Sequence, residues 1–409
     1  TGCMSFAFSK IERQIESGRS CSRQGLKLAK QQAGSISLNE HEANSTGLHF
    51  LITSDWGGLP VWPWVTPGQL KVASALGRIS RARGSKFILS LGDHFYFHGV
   101  QSADDPRWKR TFERVFVAPS LQGAGFWRIV AGNHDHNGNI TAQLAYAARA
   151  SSRWNYPALQ HAWREVVHED HNPVCSEEAR AHPEHASNVA KGRCILMNKT
   201  TIGFLLIDTV MLCGPSSSRL KQLPREVMKK FGGAERHWKW IEAALEAMQD
   251  TDFIVVGGHY PIESPSAHGP CQCLRTRLSP LLARFSVSVY FSGHDHALFH
   301  IDPAALHPRS MRKRSRGGSH FRTALHGVGA GFTVSASIAH QGSCARGLRF
   351  HYRGDGHLRA LSGGFADASV HKNMLKVSHY DAHGRKLYSH SIMPRATSHG
   401  ARAAFALVV

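Results

Sequence analysis

The sequence predicts an α/β domain, on three observations. From Leu48 onward, short apolar runs of strand length alternate with segments of helical periodicity. Several of the apolar runs stop at a glycine and then present a polar side chain, as strands do where they end in a sharp turn. The composition, 42% hydrophobic and 19% charged over 409 residues, provides for a sizeable core.

In chain order, residues 1–46 are basic and polar, with one short helical pattern around Phe6 to Ile15, and read as an N-terminal extension. "LHFLITS" and "KFILSLG" read as strands, and "PGQLKVASALGRISRARG" (Pro67 to Gly84) between them as a helix. "FWRIVAG", "TIGFLLI", "FIVVGG" and "VYFSG" are further strand-like runs, and "AERHWKWIEAALEAMQD" (Ala234 to Asp250) is a second helix. Residues 168–193, 214–233 and 302–322 read as long polar loops, the last two strongly basic. "LRFHYRGDG" and "LKVSHYDAHGRKLYSHSI" read as closing strands of the same domain, because nothing before them resembles a linker. The expected organisation is an extension over 1–46, one catalytic domain over 47–395 and a tail over 396–409.

The formal net charge is +20, which favours acidic partners such as phosphorylated substrates. No zinc-finger or RNA-recognition signature accompanies the basic run "HPRSMRKRSRGG" (His307 to Gly318), so no specific nucleic acid is expected. No apolar run approaches the ~18 residues of a membrane span, and "AAFALVV" at the C-terminus is too short. The 8 cysteines contain no C-x-x-C pair and no zinc-ribbon spacing. Their even number, with sequons at Asn44, Asn139 and Asn198, points to the secretory pathway.

One pattern recurs along the chain. "HFLITSD" ends at Asp55, "KFILSLGD" at Asp93, "FWRIVAGN" at Asn133, "FIVVGGH" at His259, and "VYFSGHDH" at His294 and His296. Each is an apolar strand followed by a residue of metal-ligand type. Ligands bind beyond the carboxyl ends of strands in α/β sheets. These strand ends, from distant parts of the chain, are therefore expected to meet at one metal site. Tyr96 follows Asp93 closely in "GDHFYF". "TIGFLLID" ends at Asp208 without the glycine and reads as a supporting residue.

These motifs resemble the purple acid phosphatases, and most closely the small animal type known as tartrate-resistant acid phosphatase. The resemblance rests on "SDWGG" (54–58), "FILSLGDHFYFHGVQ" (87–101), "AGNHDHNGNITAQLAY" (131–146), "IDTVMLCG" (207–214), "GGHYPI" (257–262), "HGPCQCL" (268–274) and "GHDH" (293–296). It implies two mixed β-sheets packed as a sandwich with helices outside and a dinuclear metal site at one edge. It assigns Asp55, Tyr96 and His296 to one metal, and Asn133, His259 and His294 to the other, with Asp93 bridging. It also gives His134 and His268 catalytic roles near phosphate and leaving group, and pairs Cys213 with Cys273. Cys175 and Cys194, which bracket a polar loop, are a further expected pair.

The donor chemistry agrees with that assignment. Two carboxylates, a phenolate and one imidazole suit a trivalent ion such as Fe(III), while an amide, two imidazoles and a shared carboxylate suit divalent Fe, Zn or Mn. The implied activity is phosphomonoester hydrolysis by attack of a metal-bound hydroxide, on phosphorylated small molecules or phosphoproteins. The alternatives are a non-catalytic scaffold, or a member of the same fold specific for phosphoproteins or phosphodiesters. This chain departs from the family at His94, where Asn is usual, so that residue either adds charge near the metals or faces away.

Overall fold

Strand β1 (Leu48–Thr53) and strand β2 (Phe87–Ser90) are buried along their whole lengths and pair in parallel at the centre of a sheet. Such two-sided burial explains why both read as nearly unbroken apolar runs. The computed structural model describes residues 47–149, 152–168, 199–216, 223, 225–306, 323–354, 362–371 and 373–395. All belong to one compact unit spanning Glu40–Val409.

The described strands form two sheets. The first continues on one side of β2 through β3 (Trp127–Ile129) and β4 (Trp154–Asn155). On the other side of β1 it continues through β12 (Gly364–His371), β13 (Met374–Asp381) and β14 (Lys386–Ile392), all antiparallel. The second sheet has the order β11 (Leu348–Tyr352), β9 (Leu298–Ile301), β10 (Ala324–Val328), β8 (Val289–Ser292), β7 (Phe253–Gly258), β6 (Lys199–Ile207) and β5 (His161–His168). Its central strands, β6, β7, β8 and β10, are parallel, and its flanks are antiparallel. The expected sandwich of two mixed sheets is the architecture found.

The inner faces make one apolar layer. Phe50, Ile52 and Leu89 of the first sheet meet Phe204, Val255 and Phe291 of the second. The Phe50 and Phe204 rings meet edge-on at 5.2 Å. A second cluster lies between the second sheet and its helices, where Trp238, Ile241 and Leu245 face Ile254 and Val256.

Helix α1 (Pro67–Arg83) begins where Thr66 accepts a hydrogen bond from the Gln69 amide and Pro67 supplies a pre-set φ. It ends at Gly84, in the left-handed conformation at φ 63°. Four further helices bear on the site: α2 (Asn133–His136), α3 (Ile140–Ala147), α4 (Thr209–Cys213) and, following a short α5 (Arg225–Phe231), α6 (Ala234–Ala247). The sequence reading of 214–233 as loop missed α5. Its apolar residues Val227, Met228 and Phe231 recur at helical spacing but are too few to stand out against the lysines. Arg219 and Lys221 of that segment lie outside the described residues, as do Asn44, Asn198, Cys175, Cys194 and both terminal segments.

Cys213, at the end of α4, is disulfide-bonded to Cys273 in α7 (Gln272–Arg284). This is the pairing the resemblance implied. The bridge closes a sequence separation of 60 residues. Replacing both cysteines by serine is expected to lower the unfolding free energy by about 2–4 kcal/mol, measured by guanidinium titration. An unchanged midpoint and slope would contradict a structural role.

Candidate metal centre

Three of the strand ends, those after β1, β2 and β8, deliver their side chains through unusual backbone. Asp55, Asp93, His294 and His296 adopt φ of 56°, 54°, 70° and 46°, a region costly for residues with a Cβ. Glycine then makes room. A Cβ on Gly92 would lie 2.6 Å from the Gly132 amide and 2.7 Å from His259 Nδ1. On Gly293 it would lie 2.0 Å from Ser54 Oγ and 2.5 Å from Asp55 Oδ2. The glycine before the ligand is therefore a packing requirement, because two backbones and a side chain converge there.

The residues arrive from both sheets. Asp55, Asp93 and Asn133 follow β1, β2 and β3 of the first, while His259 and the His294–His296 pair follow β7 and β8 of the second. On one side Tyr96 Oη donates to Asp55 Oδ1 at 3.0 Å and lies 3.0 Å from His296 Nε2. His296 Nε2 is 3.6 Å from the same Asp55 oxygen. On the other side His259 Nε2 is 3.0 Å from Asn133 Oδ1 and 3.4 Å from Asp93 Oδ2. Asp93, His259 and His294 each offer a ligand atom within 4.8 Å of the others. The structure thus brings together all the ligand-type residues expected from the sequence.

The donor set fits cations. His259 Nδ1 is held at 2.8 Å by the Leu91 carbonyl, which accepts its proton and leaves the Nε2 lone pair facing Asn133 and Asp93. Burial pushes the Asp55 carboxyl up to about 7, and the charge of Asp93 pushes the same way. Burial also opposes ionisation of Asp93, but His259 and His134 hold it well below the usual carboxylate range. Burial, then Asp55 and Asp93, raise the Tyr96 phenol far above its ordinary value. Burial and neighbouring imidazoles, His268 first, depress His296 to about 3. Asp55 and Tyr96 are kept from ionising and His294 and His296 from protonation, chiefly by burial, while Asp93 raises His259 to about 9; bound cations would replace the proton held between Asp93 and His259 and favour the ionised forms of Asp55 and Tyr96.

His134 and His268 flank this group. The His134 amide donates to Asp93 Oδ1 at 2.9 Å, and its Nδ1 donates to the Phe97 carbonyl at 2.9 Å. Its Nε2 lies 4.0 Å from Asp93 Oδ2. His268 is exposed and stacks on the His294 ring, with centroids 4.2 Å apart.

Supporting residues account for much of this order. Asp208 caps α4 by accepting from the Val210 and Met211 amides, and its other oxygen is 2.8 Å from His136 Nε2. Sequence reasoning missed Asp135 and Asp295, whose signal was an aspartate within two residues of a ligand in "GNHDH" and "GHDH". Buried Asp135 accepts from the Gly132 and His94 amides and from Gln143. Asp295 accepts from the His268 and Gly269 amides at 2.6 and 3.1 Å and so fixes the loop that carries His268.

His94 faces away from the metal ligands. Its Nε2 is 2.9 Å from Ser90 Oγ, its Nδ1 is 3.0 Å from Asp135, and its ring packs against Trp56 and Trp154. His94→Asn is expected to leave metal content unchanged while lowering stability by roughly 1–3 kcal/mol, the cost of disturbing a buried polar contact. Loss of metal in that variant would contradict this placement. Asn139, the described sequon, is exposed and caps α3.

Two sheets delivering carboxylate, amide, phenol and imidazole donors to one shared edge define the metallophosphoesterase fold. The family profile of calcineurin-like phosphoesterases matches residues 48–298. Rat tartrate-resistant acid phosphatase type 5 is 34% identical over 354 residues, covering 86% of this chain and 92% of that one. The human enzyme of the same name is 34% identical over 350 residues, 85% and 92% of the two chains. Purple acid phosphatase 4 of Arabidopsis thaliana is 25% identical over 371 residues, 89% of each. Among solved structures, GAP50, described as the anchor in the inner membrane complex of Plasmodium, superposes with a TM-score of 0.63 at 21% identity, covering 89% of this chain and 96% of that one. A purple acid phosphatase from yellow lupin seeds gives 0.51 at 13% identity, covering 86% and 54%. The chain belongs to the calcineurin-like phosphoesterase family, on its purple acid phosphatase branch.

Proposed function

We propose that residues 47–395 form an acid phosphatase that hydrolyses phosphomonoesters at a dinuclear iron-containing centre. The observation that carries this reading is the convergence of two donor triads, Asp55–Tyr96–His296 and Asn133–His259–Asp93, with His294 beside the second. Fe(III) suits the first and divalent Fe, Zn or Mn the second, with Asp93 shared. Two such ions, when bound, supply Lewis acidity toward a phosphate oxygen and toward the attacking water.

The chain's own residues do the rest. His134, its Nδ1 committed to the Phe97 carbonyl, presents Nε2 toward the site and, as the imidazolium, donates from it to a phosphate oxygen. His268, held through its backbone by Asp295, gives a proton to the departing alkoxide. Asp208 and His136 keep α4 and α2 in register behind the site. The substrates are phosphorylated small molecules or phosphoproteins, drawn by the net charge of +20. The secretory pathway suits the disulfide and the sequons, and among the described residues no helix is long and apolar enough to cross a membrane.

A non-catalytic scaffold is the rival, since GAP50 is described as an anchor. Retention of every expected ligand side chain favours catalysis. The test is hydrolysis of an aryl phosphate and an alkyl phosphate against pH, with and without tartrate, for the natural chain and His268→Ala. The reading expects activity with an acid optimum. It also expects His268→Ala to lose on the order of 10²-fold in kcat on the alkyl ester, the size of a general-acid contribution, and much less on the aryl ester. Absence of any hydrolysis by the metal-loaded chain would favour the scaffold, and equal losses on both esters would remove His268 from proton transfer.

A further inference from the structure

Away from the metal centre, four histidines occupy the layer between the sheets. His326 shares a face of β10 with Ala324 and Val328, and His379 shares a face of β13 with Leu375 and Val377. His300 of β9 is the direct cross-strand partner of His326, and His390 lies on the edge strand β14. The first three are buried and His390 is half-buried. β9 and β10 belong to the second sheet and β13 and β14 to the first, so the group joins the two.

The rings stack. His300 lies 4.3 Å from His326 with 3° between the planes, and 4.1 Å from His390 with 30° between them. Two cations held face to face at that distance repel. Nitrogens also pair between rings: His326 Nδ1 is 2.9 Å from His379 Nε2, and His326 Nε2 is 3.3 Å from His390 Nδ1. Each link holds one proton, which one nitrogen donates and the other accepts. A single added proton on His326 finds an acceptor on both sides. A second, on His379 or His390, turns an acceptor into a donor and breaks a link. His300 Nε2 and His379 Nδ1 are buried without a hydrogen-bond partner among the described residues, so a proton added there has no acceptor either.

The surroundings offer little counter-charge. β14 contributes the Tyr388 hydroxyl, 2.8 Å from His300 Nδ1. β11 contributes Arg349, whose charge disfavours a cation on His300. β9 contributes Asp302, whose charge favours one on His390 but is paired with Arg349 at 2.9 Å. β8, β12 and the rest of β13 contribute apolar side chains, Phe291, Ala366, Ala368 and Val377 among them.

We propose that these four imidazoles are an acid-sensitive clasp between the sheets, closed while neutral, whose protonation frees β14 and the end of β13 from β9 and β10. The clasp shares no residue with the metal centre and acts whatever the chain hydrolyses. In an opened strand the imidazoles take protons near 6.5, whereas in the clasp burial first, and then the neighbouring rings, hold His300 and His379 down to about 3 and His326 far below its ordinary value. The opened state therefore binds more protons throughout that range. Closure is strongest above about pH 6.5 and weakens as the pH falls, by up to about tenfold per pH unit for each imidazole.

The test is hydrogen exchange of the full chain at about pH 7 and about pH 5, corrected for the intrinsic pH dependence of exchange. Amides of β13 and β14 are expected to lose protection on the order of a hundredfold or more at the lower pH, the effect of two or more imidazoles. Those of β1 and β2, in the same sheet, should lose much less. His300→Leu/His390→Leu is expected to cut the loss in β13 and β14 at least about tenfold. Unchanged protection in the natural chain, an equal loss in β1 and β2, or the same loss in the variant would overturn the clasp. Where that variant does not fold, titration of the histidine ring resonances in the natural chain decides. Four rings that stay neutral down to about pH 5 support the clasp, and ordinary titration of all rings near about 6.5 refutes it.

Discussion

Asp93→Asn is expected to yield a folded chain that has lost iron and nearly all phosphatase activity. Asp93 follows β2 in the left-handed region, receives the His134 amide on Oδ1 and faces His259 with Oδ2. It therefore stands between the residues assigned to the two ions. An amide there removes one negative charge from both positions and offers a single weakly donating oxygen. The fall in kcat should exceed the ~10²–10³ attached to a single oxyanion donor, because both charges that polarise the phosphate are weakened together. Folding should survive at some cost in stability, because His259 and His134 favour the charge that is lost, while asparagine is nearly isosteric and its oxygen can still accept the His134 amide. Metal analysis and a phosphatase assay on the purified variant check this. Full iron with full activity would exclude Asp93 as the bridge.

Tyr96→Phe is expected to have the second largest effect, and a different one. The Tyr96 ring is buried against His134 and Phe332, so phenylalanine keeps the packing. Only the hydroxyl, in contact with Asp55 and His296, is removed. A phenol at this place ionises in acid only beside a strong Lewis acid, since its ordinary pKa of ~10 is raised further here by burial and by Asp55. Phenylalanine should bind iron more weakly, by an amount equilibrium dialysis measures, and retain residual activity through the other ligands. Unaltered iron affinity would contradict the assignment.

Most of the ligands were legible because they follow an apolar run, usually through a glycine; Tyr96 has no such signal and was supplied by the likeness to known motifs. Gly92 and Gly293 show why the signal exists, since a methyl at either collides with a ligand or its neighbour. That the strand ends come from two sheets was not legible in the runs themselves. Which strands share a sheet depends on pairings such as Leu48 with Val370, set by contacts far apart in the chain. Only the likeness to known motifs supplied the sandwich. Asp135 and Asp295 were overlooked because they serve mainly backbone amides, and only their closeness in sequence to Asn133, His294 and His296 marks them. The direction of His94 was undecided for a related reason: its partners Ser90, Trp56 and Trp154 come together only in the folded sheet.

The most direct measurement of the dinuclear centre is the visible spectrum of the iron-loaded protein, recorded with its iron content and beside that of Tyr96→Phe. Charge transfer from the Tyr96 phenolate to ferric iron is expected to give the natural chain a purple band. With iron still bound, Tyr96→Phe should lose that band. A colourless iron-loaded natural chain, or a variant that keeps the full band, would contradict the centre described here.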